Sequence, residues 1–458
     1  MQIEETGSAS VLESVPPHLQ TTRVDRVFWS HFSPNLAPAA WVIGVLVVVL
    51  GLPGWTGFWV LLAGNLLGSL PVAFCAVMGP KTGLPQMEAS RFSFGRVGKR
   101  VPSLINWANC VGWDAVNNVP SALAFILLLK MIGLSVPFWL ALGVLALIQL
   151  LASMGGHDIV QAIEKYLGWL LLVSFATVGL MAVFQSAGQQ VTAAAVVPKF
   201  ADIMVGIGAV GSFNMAWAAY ASDYTRYVPA SAPSSRIFWL TFSGTFLSSF
   251  IMELFGLLTG AAISDPSPGS VIAALQNWSG LFAPVALAAV AFSSIAINAA
   301  NDNTAAYALI SGGVRINRML SAVVTAGMGY LLAVLGEGRF VSLYENYLLL
   351  ALYWIAPWCG IVLADWYCRP ASLRSARRET LAGWTPSATL FLVVTLLTIV
   401  LFSSTPLYTG PIAARLGGAD IGYFVGFFSA AVGQIALLQA RARRQTVMPV
   451  HGAENRFS

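Results

Sequence analysis

The chain has 458 residues, 57% of them hydrophobic and 9% charged, with a formal net charge of +5. Soluble domains carry about 25% charged residues, so a water-exposed globule is excluded. The apolar residues come in runs of about twenty, enough for a helix to cross the hydrocarbon core, and the short alternating segments of a strand barrel are not evident. The composition predicts an all-α membrane protein.

Residues 1–22 are polar and acidic and contain Ser and Pro. They read as a disordered cytoplasmic tail without the basic-then-apolar layout of a cleavable leader. Twelve helices follow, at roughly 29–50, 57–79, 102–130, 136–154, 159–185, 203–221, 237–263, 279–311, 317–335, 341–364, 384–402 and 420–440. A basic tail, 441–458, closes the chain.

Charge tests that map. With the N-terminus inside, every Lys and Arg falls on the cytoplasmic side except Lys130, Lys199, Arg339 and Arg415. Cytoplasmic loops favour basic residues during insertion, so both ends are placed inside a multi-pass inner-membrane protein. Topology thus accounts for the positive charge, and no aromatic–basic module points to nucleic acid. The four cysteines (Cys75, Cys110, Cys359 and Cys368) show no paired spacing of a disulfide framework or zinc site.

Two helices depart from a plain apolar span. In the first, Ser33-Pro34-Asn35 interrupts the run, and proline removes a backbone donor and restricts its predecessor. In the sixth, Gly206, Gly208 and Gly211 precede Ser212-Phe213-Asn214 and weaken continuous helix. If helices 1–5 (residues 23–186) and 6–10 (187–364) are two repeats, these are corresponding positions, with 365–440 adding two helices. Interrupted segments at matching places are the sequence pointer to a transporter site.

The third helix carries Trp113 and Asn117, four apart on one face. An indole beside a carboxamide suits a flat heterocycle: the ring stacks and the amide offers a donor and an acceptor. In the sixth, Phe213, Asn214 and Trp217 follow the glycines, and Trp217 can supply a second wall. Asp223 and Arg226 lie at its cytoplasmic end, as a gate ion pair or as an interfacial cap. In the eighth, Asn298, Asn301 and Asp302 share a face that must look into the bundle, and Asn298, Asn301 and Asn214 join the candidate substrate ligands. Asp114, Glu253 and Asp302 are carboxylates at membrane depth; Glu253 reads best as a hydrogen-bonding structural group. The histidines form no HExxH, and no P-loop occurs. Neither an enzyme nor an ATP-driven pump is expected.

The stretch Gly79-Pro80-Lys81-Thr82-Gly83-Leu84-Pro85-Gln86-Met87, continuing through Ser90-Arg91 and Phe94-Gly95, resembles the hallmark loop of the nucleobase–cation symporter-1 family. Pro102 to Trp107 with Gly112-Trp113, Trp217 with Tyr220 to Tyr224, and Asn298-Ala299-Ala300-Asn301 resemble it too, nearest to the purine–cytosine permeases. The resemblance implies a leucine-transporter-like 5+5 inverted repeat plus two helices, working by alternating access without a bound cofactor. It implies a small planar substrate between Trp113 and Trp217, its edge read by Asn117 and Asn298, with Ser33 and Asn35 contributing at the first-helix break. Asp114, and Asp302 with Asn303, depart from the family pattern and favour an amino-bearing or cationic ring. Such relatives are generally proton-coupled, which suits Asp302 or Asp114; sodium-using members would place Ser293 and Ser294 at the ion. The expected function is proton-coupled import of cytosine or a purine. The alternative is proton- or sodium-coupled uptake of a hydantoin, allantoin or thiamine-related pyrimidine.

Overall fold

The computed structural model describes residues 10–154, 157–186, 197–263, 265–370, 373 and 383–447. Twelve apolar helical segments, named α1–α12 here, follow the predicted order. α1 is broken into Arg26–Phe32 and Pro38–Val49; α2 is Gly54–Ala76, α3 Arg100–Met131, α4 Phe138–Met154 and α5 His157–Ser186. α6 is Phe200–Met215, continued by a 3-10 turn Ala216–Ala219 and a short helix Ala221–Thr225. Then come α7 Ser234–Gly260, α8 Ala283–Ser311, α9 Arg318–Leu335, α10 Phe340–Cys368, α11 Pro386–Phe402 and α12 Gly422–Val447. Among the described residues, eight helical stretches are long and apolar enough to cross a membrane, beside four shorter apolar helices. Proline opens several helices, as at Pro38 and Pro386, where the missing N–H costs nothing.

Packing follows an internal symmetry. α1 lies on α7 as α2 lies on α6, α3 crosses α9 as α4 crosses α8, and α3–α4 is matched by α8–α9. Exchanging 1 with 6, 2 with 7, 3 with 8 and 4 with 9 therefore maps the contacts onto themselves. The most extensive contact, α3 with α8, maps onto itself and forms the floor of the site.

The α1 break falls where Pro34 predicts it, between Phe32 and Pro38. The α6 break does not fall at the glycines. Gly206, Gly208 and Gly211 stay helical, and regular α-helix ends after Met215. Their role is close packing: a Cβ at Gly206 would stand 2.9 Å from Val60 Cγ1, and one at Gly211 3.3 Å from the Gly64 carbonyl oxygen. Small residues let membrane helices approach where no hydrophobic force drives them together. The connection before α8 also holds a helix, Pro268–Ser279, with Val271, Ile272, Leu275 and Trp278 buried. The predicted eighth helix merged its last residue with α8.

The expected disordered tail is corrected over its described part. From Ser10 onward it packs on the bundle, with Val11 and Gln20 buried. Val15 N donates to the Gly83 carbonyl at 2.9 Å, and Gln20 Nε2 to that of Arg226 at 3.1 Å. The backbone groups exposed around Gly83 and Arg226 supply the partners that hold it. Residues 1–9, Ser264, Arg374, Arg377, Arg378 and the C-terminal tail beyond Val447 lie outside the described residues.

The tightest crossing is α1 on α7. A Cβ at Gly256 would sit 2.1 Å from the Trp41 carbonyl oxygen, and one at Gly44 1.9 Å from that of Glu253. Backbone cannot yield there as a side-chain tip can. Gly256→Ala is therefore expected to destabilise by at least the ~1–3 kcal/mol of ordinary overpacking, read as a lower Tm in detergent. An unchanged Tm would contradict the close crossing.

Candidate functional site

α3, α6 and α8 line a narrow cavity of about 10 Å³, room for about one water, so a ring enters only as the helices part. Trp113 and Asn117 line it from α3; Phe213, Ala216, Trp217 and Tyr220 from α6; Ile297 and Asn301 from α8. The loss of regular helix after Met215 is what turns Ala216 and Trp217 to this wall.

The indoles are braced. Trp113 meets Phe213 and Tyr347 edge-on at ring distances of 5.5 and 5.2 Å, and Trp217 meets Tyr220 edge-on at 5.6 Å. Edge-to-face pairs contribute about 0.5–1.5 kcal/mol beyond burial. Asn109, one turn before Trp113, ties the two sets together: Tyr347 Oη donates to its Oδ1 at 2.9 Å, and its Nδ2 donates to Tyr220 Oη at 3.1 Å. Sequence reasoning passed over Asn109 and Tyr347, although an amide on the Trp113 face was visible.

Three buried polar atoms around the cavity have no protein partner: Trp113 Nε1, Asn117 Oδ1 and Asn301 Oδ1. Buried polar atoms are ordinarily hydrogen-bonded. One donor and two acceptors thus remain available to a ring edge.

The predicted residues separate into groups. Trp113, Asn117, Trp217 and Asn301 share the cavity. Asn298 stands behind it, its Oδ1 accepting from Asn117 Nδ2 at 2.9 Å. Asn214 is outside the lining: its Nδ2 donates to Asn65 Oδ1 and its Oδ1 accepts from Ser249 Oγ, both at 2.6 Å. Asn65 also bonds Glu253, so Asn214 and Glu253 belong to a polar knot among α2, α6 and α7. Ser33 and Asn35 are buried at the α1 break but do not line the cavity. Asn35 Nδ2 donates to the His31 carbonyl at 2.8 Å. Ser293 Oγ donates within its own helix to Val290 at 2.7 Å, whereas Ser294 Oγ has no protein partner.

Asp223 and Arg226 do not form the ion pair; each is engaged elsewhere. Asp223 Oδ1 accepts from the Gln86 backbone N at 2.7 Å, and Oδ2 from Thr304 Oγ1 at 2.8 Å. Gln86 Oε1 in turn accepts from the Ser222 hydroxyl. Arg226 donates to the Val11 carbonyl at 3.1 Å and to the hydroxyls of Tyr227 and Tyr307 at 2.7 and 3.2 Å. The resemblance-bearing loop is thus fastened to the C-terminal parts of α6 and α8.

Interrupted helices at corresponding places in two symmetry-related halves, around a polar–aromatic midplane cavity, define a secondary membrane transporter. The family model described as permease for cytosine/purines, uracil, thiamine and allantoin matches residues 14–426, and the chain belongs to that family. YxlA of Bacillus subtilis is 27% identical over 95% of this chain and 96% of its own. The purine-cytosine permease fcyB of Emericella nidulans is 26% identical, covering 95% of this chain and 88% of its own. The fold is that of Mhp1, a nucleobase-cation-symport-1 family transporter solved closed with bromovinylhydantoin bound. The TM-score is 0.74 at 16% identity, covering 96% of this chain and 97% of Mhp1.

Proposed function

We propose that the chain imports cytosine or a purine across the cytoplasmic membrane by alternating access, drawing on the proton gradient. The observation that carries this is the cavity: two indole walls with one unmatched donor and two unmatched acceptors between them. A flat ring stacks on the walls. Its amino or ring N–H groups donate to Asn117 Oδ1 and Asn301 Oδ1, and a ring nitrogen or carbonyl accepts from Trp113 Nε1. Two acceptors favour an amino-bearing edge, as cytosine and adenine present. Asn298 acts through Asn117, fixing its amide.

A sodium-coupled reading draws on Ser33 Oγ, Asn35 Oδ1 and Ser294 Oγ, buried oxygens with no protein partner on the broken α1 and on α8. The test of both is uptake in cells lacking their own permeases, with cytosine, adenine, hypoxanthine, uracil, allantoin, a hydantoin and a thiamine-type pyrimidine compared with and without sodium. Saturable cytosine or adenine uptake abolished by a protonophore supports the proposal. Uptake confined to the hydantoin or allantoin, or steeply sodium-dependent, overturns the substrate or the ion respectively.

The same reading sets the orientation, because the basic loops gather on the side of Lys81 and Arg96. In a Cys368→Ser background, Arg96→Cys is expected to resist an impermeant thiol reagent added to intact cells, and Asn277→Cys to react. The reverse pattern would invert the topology.

A further inference from the structure

A ring of side chains leads from the cavity to a pair of acids and back. Asn117 Nδ2 donates to Asn298 Oδ1 at 2.9 Å, Asn298 Nδ2 to Gln149 Oε1 at 3.1 Å, and Gln149 Nε2 to Asp302 Oδ2 at 3.1 Å. From the opposite side of the cavity, Asn301 Nδ2 donates to Asp114 Oδ1 at 2.8 Å. Asp114 and Asp302 are fully buried and their carboxyl groups meet. The oxygens left without a protein donor are Asp114 Oδ2 and Asp302 Oδ1. Two carboxylates in contact away from water cannot both be ionised, and one shared proton supplies the donor that both oxygens lack.

The pair also has a second opening. Asp302 lines another small cavity, of about 20 Å³, with Ser153, Asn303 and Arg318 between α4, α8 and α9. α9 seals the remaining side, since a Cβ at Gly329 would stand 2.6 Å from Asp114 Cβ. The acids therefore separate two cavities, one lined by the amides and indoles, the other beside a cation.

We propose that Asp114 and Asp302 form a single proton-binding site between the substrate cavity and the Arg318 cavity, with Gln149 as the positioning residue that links proton occupancy to substrate occupancy. The proposal rests on the reading of the first cavity as the substrate site. The link runs through the amides. A base N–H given to Asn301 Oδ1 or Asn117 Oδ1 polarises the amide N–H bonds that point toward the acids. By reciprocity, proton occupancy changes the affinity for the base by the same factor as the base changes that for the proton. The other titratable side chains beside the pair among the described residues are Cys110 on α3 and Tyr347 on α10; α4 brings Gln149 and no titratable group.

Two experiments on the full-length purified protein test this. In infrared difference spectra, a buried carboxylic-acid band should disappear in Asp114→Asn and in Asp302→Asn but persist in Glu253→Gln. This readout needs no substrate, so it stands even if no base is transported. In proteoliposomes, cytosine or adenine binding should change with pH by up to about tenfold per unit, the slope one linked proton sets. Gln149→Leu should flatten that slope while exchange of the base continues. A role confined to packing would lower protein yield and leave the slope unchanged. A band indifferent to both Asn variants, accumulation by Asp302→Asn equal to wild type, or an unchanged slope in Gln149→Leu would each overturn the proposal. Absence of base binding with the infrared result intact would sink the substrate reading and leave the proton site.

Discussion

Trp113→Ala or Trp217→Ala is expected to weaken substrate binding by about tenfold to a hundredfold. Each indole forms one wall of the cavity. Base–aromatic stacking contributes about 1–3 kcal/mol per base, and about 1.4 kcal/mol is a factor of ten. Phe at either position retains a smaller face and should lose less than Ala. Asn117→Ala and Asn301→Ala should behave differently. They remove an unmatched acceptor while leaving both walls, so the order in which bases compete should change more than the affinity for any one of them. Competition profiles of variants normalised for folded protein separate these effects. Four variants with wild-type affinity and the same competition order would show that these side chains only pack the bundle.

Asp223→Ala is expected to open the cytoplasmic side. The carboxylate accepts from the Gln86 backbone and from Thr304, both buried, and so joins the loop after α2 to α6 and α8. Stranding a buried donor costs about 1–3 kcal/mol. Spent on one of two alternating states, that shifts their ratio by about 5–150-fold. In a Cys368→Ser background the remaining cysteines are buried. There, Ala221→Cys should label correspondingly faster from the cytoplasmic face once Asp223 is replaced, and uptake should fall as the outward-facing state is depleted. An unchanged labelling rate would mean that the clamp does not govern the gate.

The span count, the α1 break and the two tryptophan walls were legible because each rests on a local signal: apolar run length, a proline, an indole with an amide one turn on. The α6 break was not. Glycine weakens helix in isolation, but here Gly206 and Gly211 lie close against α2 and regular helix runs on through them. Asn214 and Asn298 show the limit of helical periodicity. It places a residue on an inward face but does not say which inward neighbour claims it. Asn214 was taken by Asn65 and Ser249, and of the two α8 amides expected at the cavity Asn301 lines it while Asn298 stands behind. Gln149 left a readable trace, a lone amide in the apolar run of α4, and polar groups at that depth have partners or functions. The contact between Asp114 and Asp302 joins residues far apart in sequence, and no pattern within either helix announces it.

The central claim, a flat ring held between Trp113 and Trp217, is tested most directly by an experimental structure of the protein saturated with cytosine or adenine. The account predicts planar density between the two indoles, with N–H groups within hydrogen-bond reach of Asn117 Oδ1 and Asn301 Oδ1. A base bound elsewhere, such as against the Glu253 knot, or lying in the cavity without stacking on either indole, would contradict it.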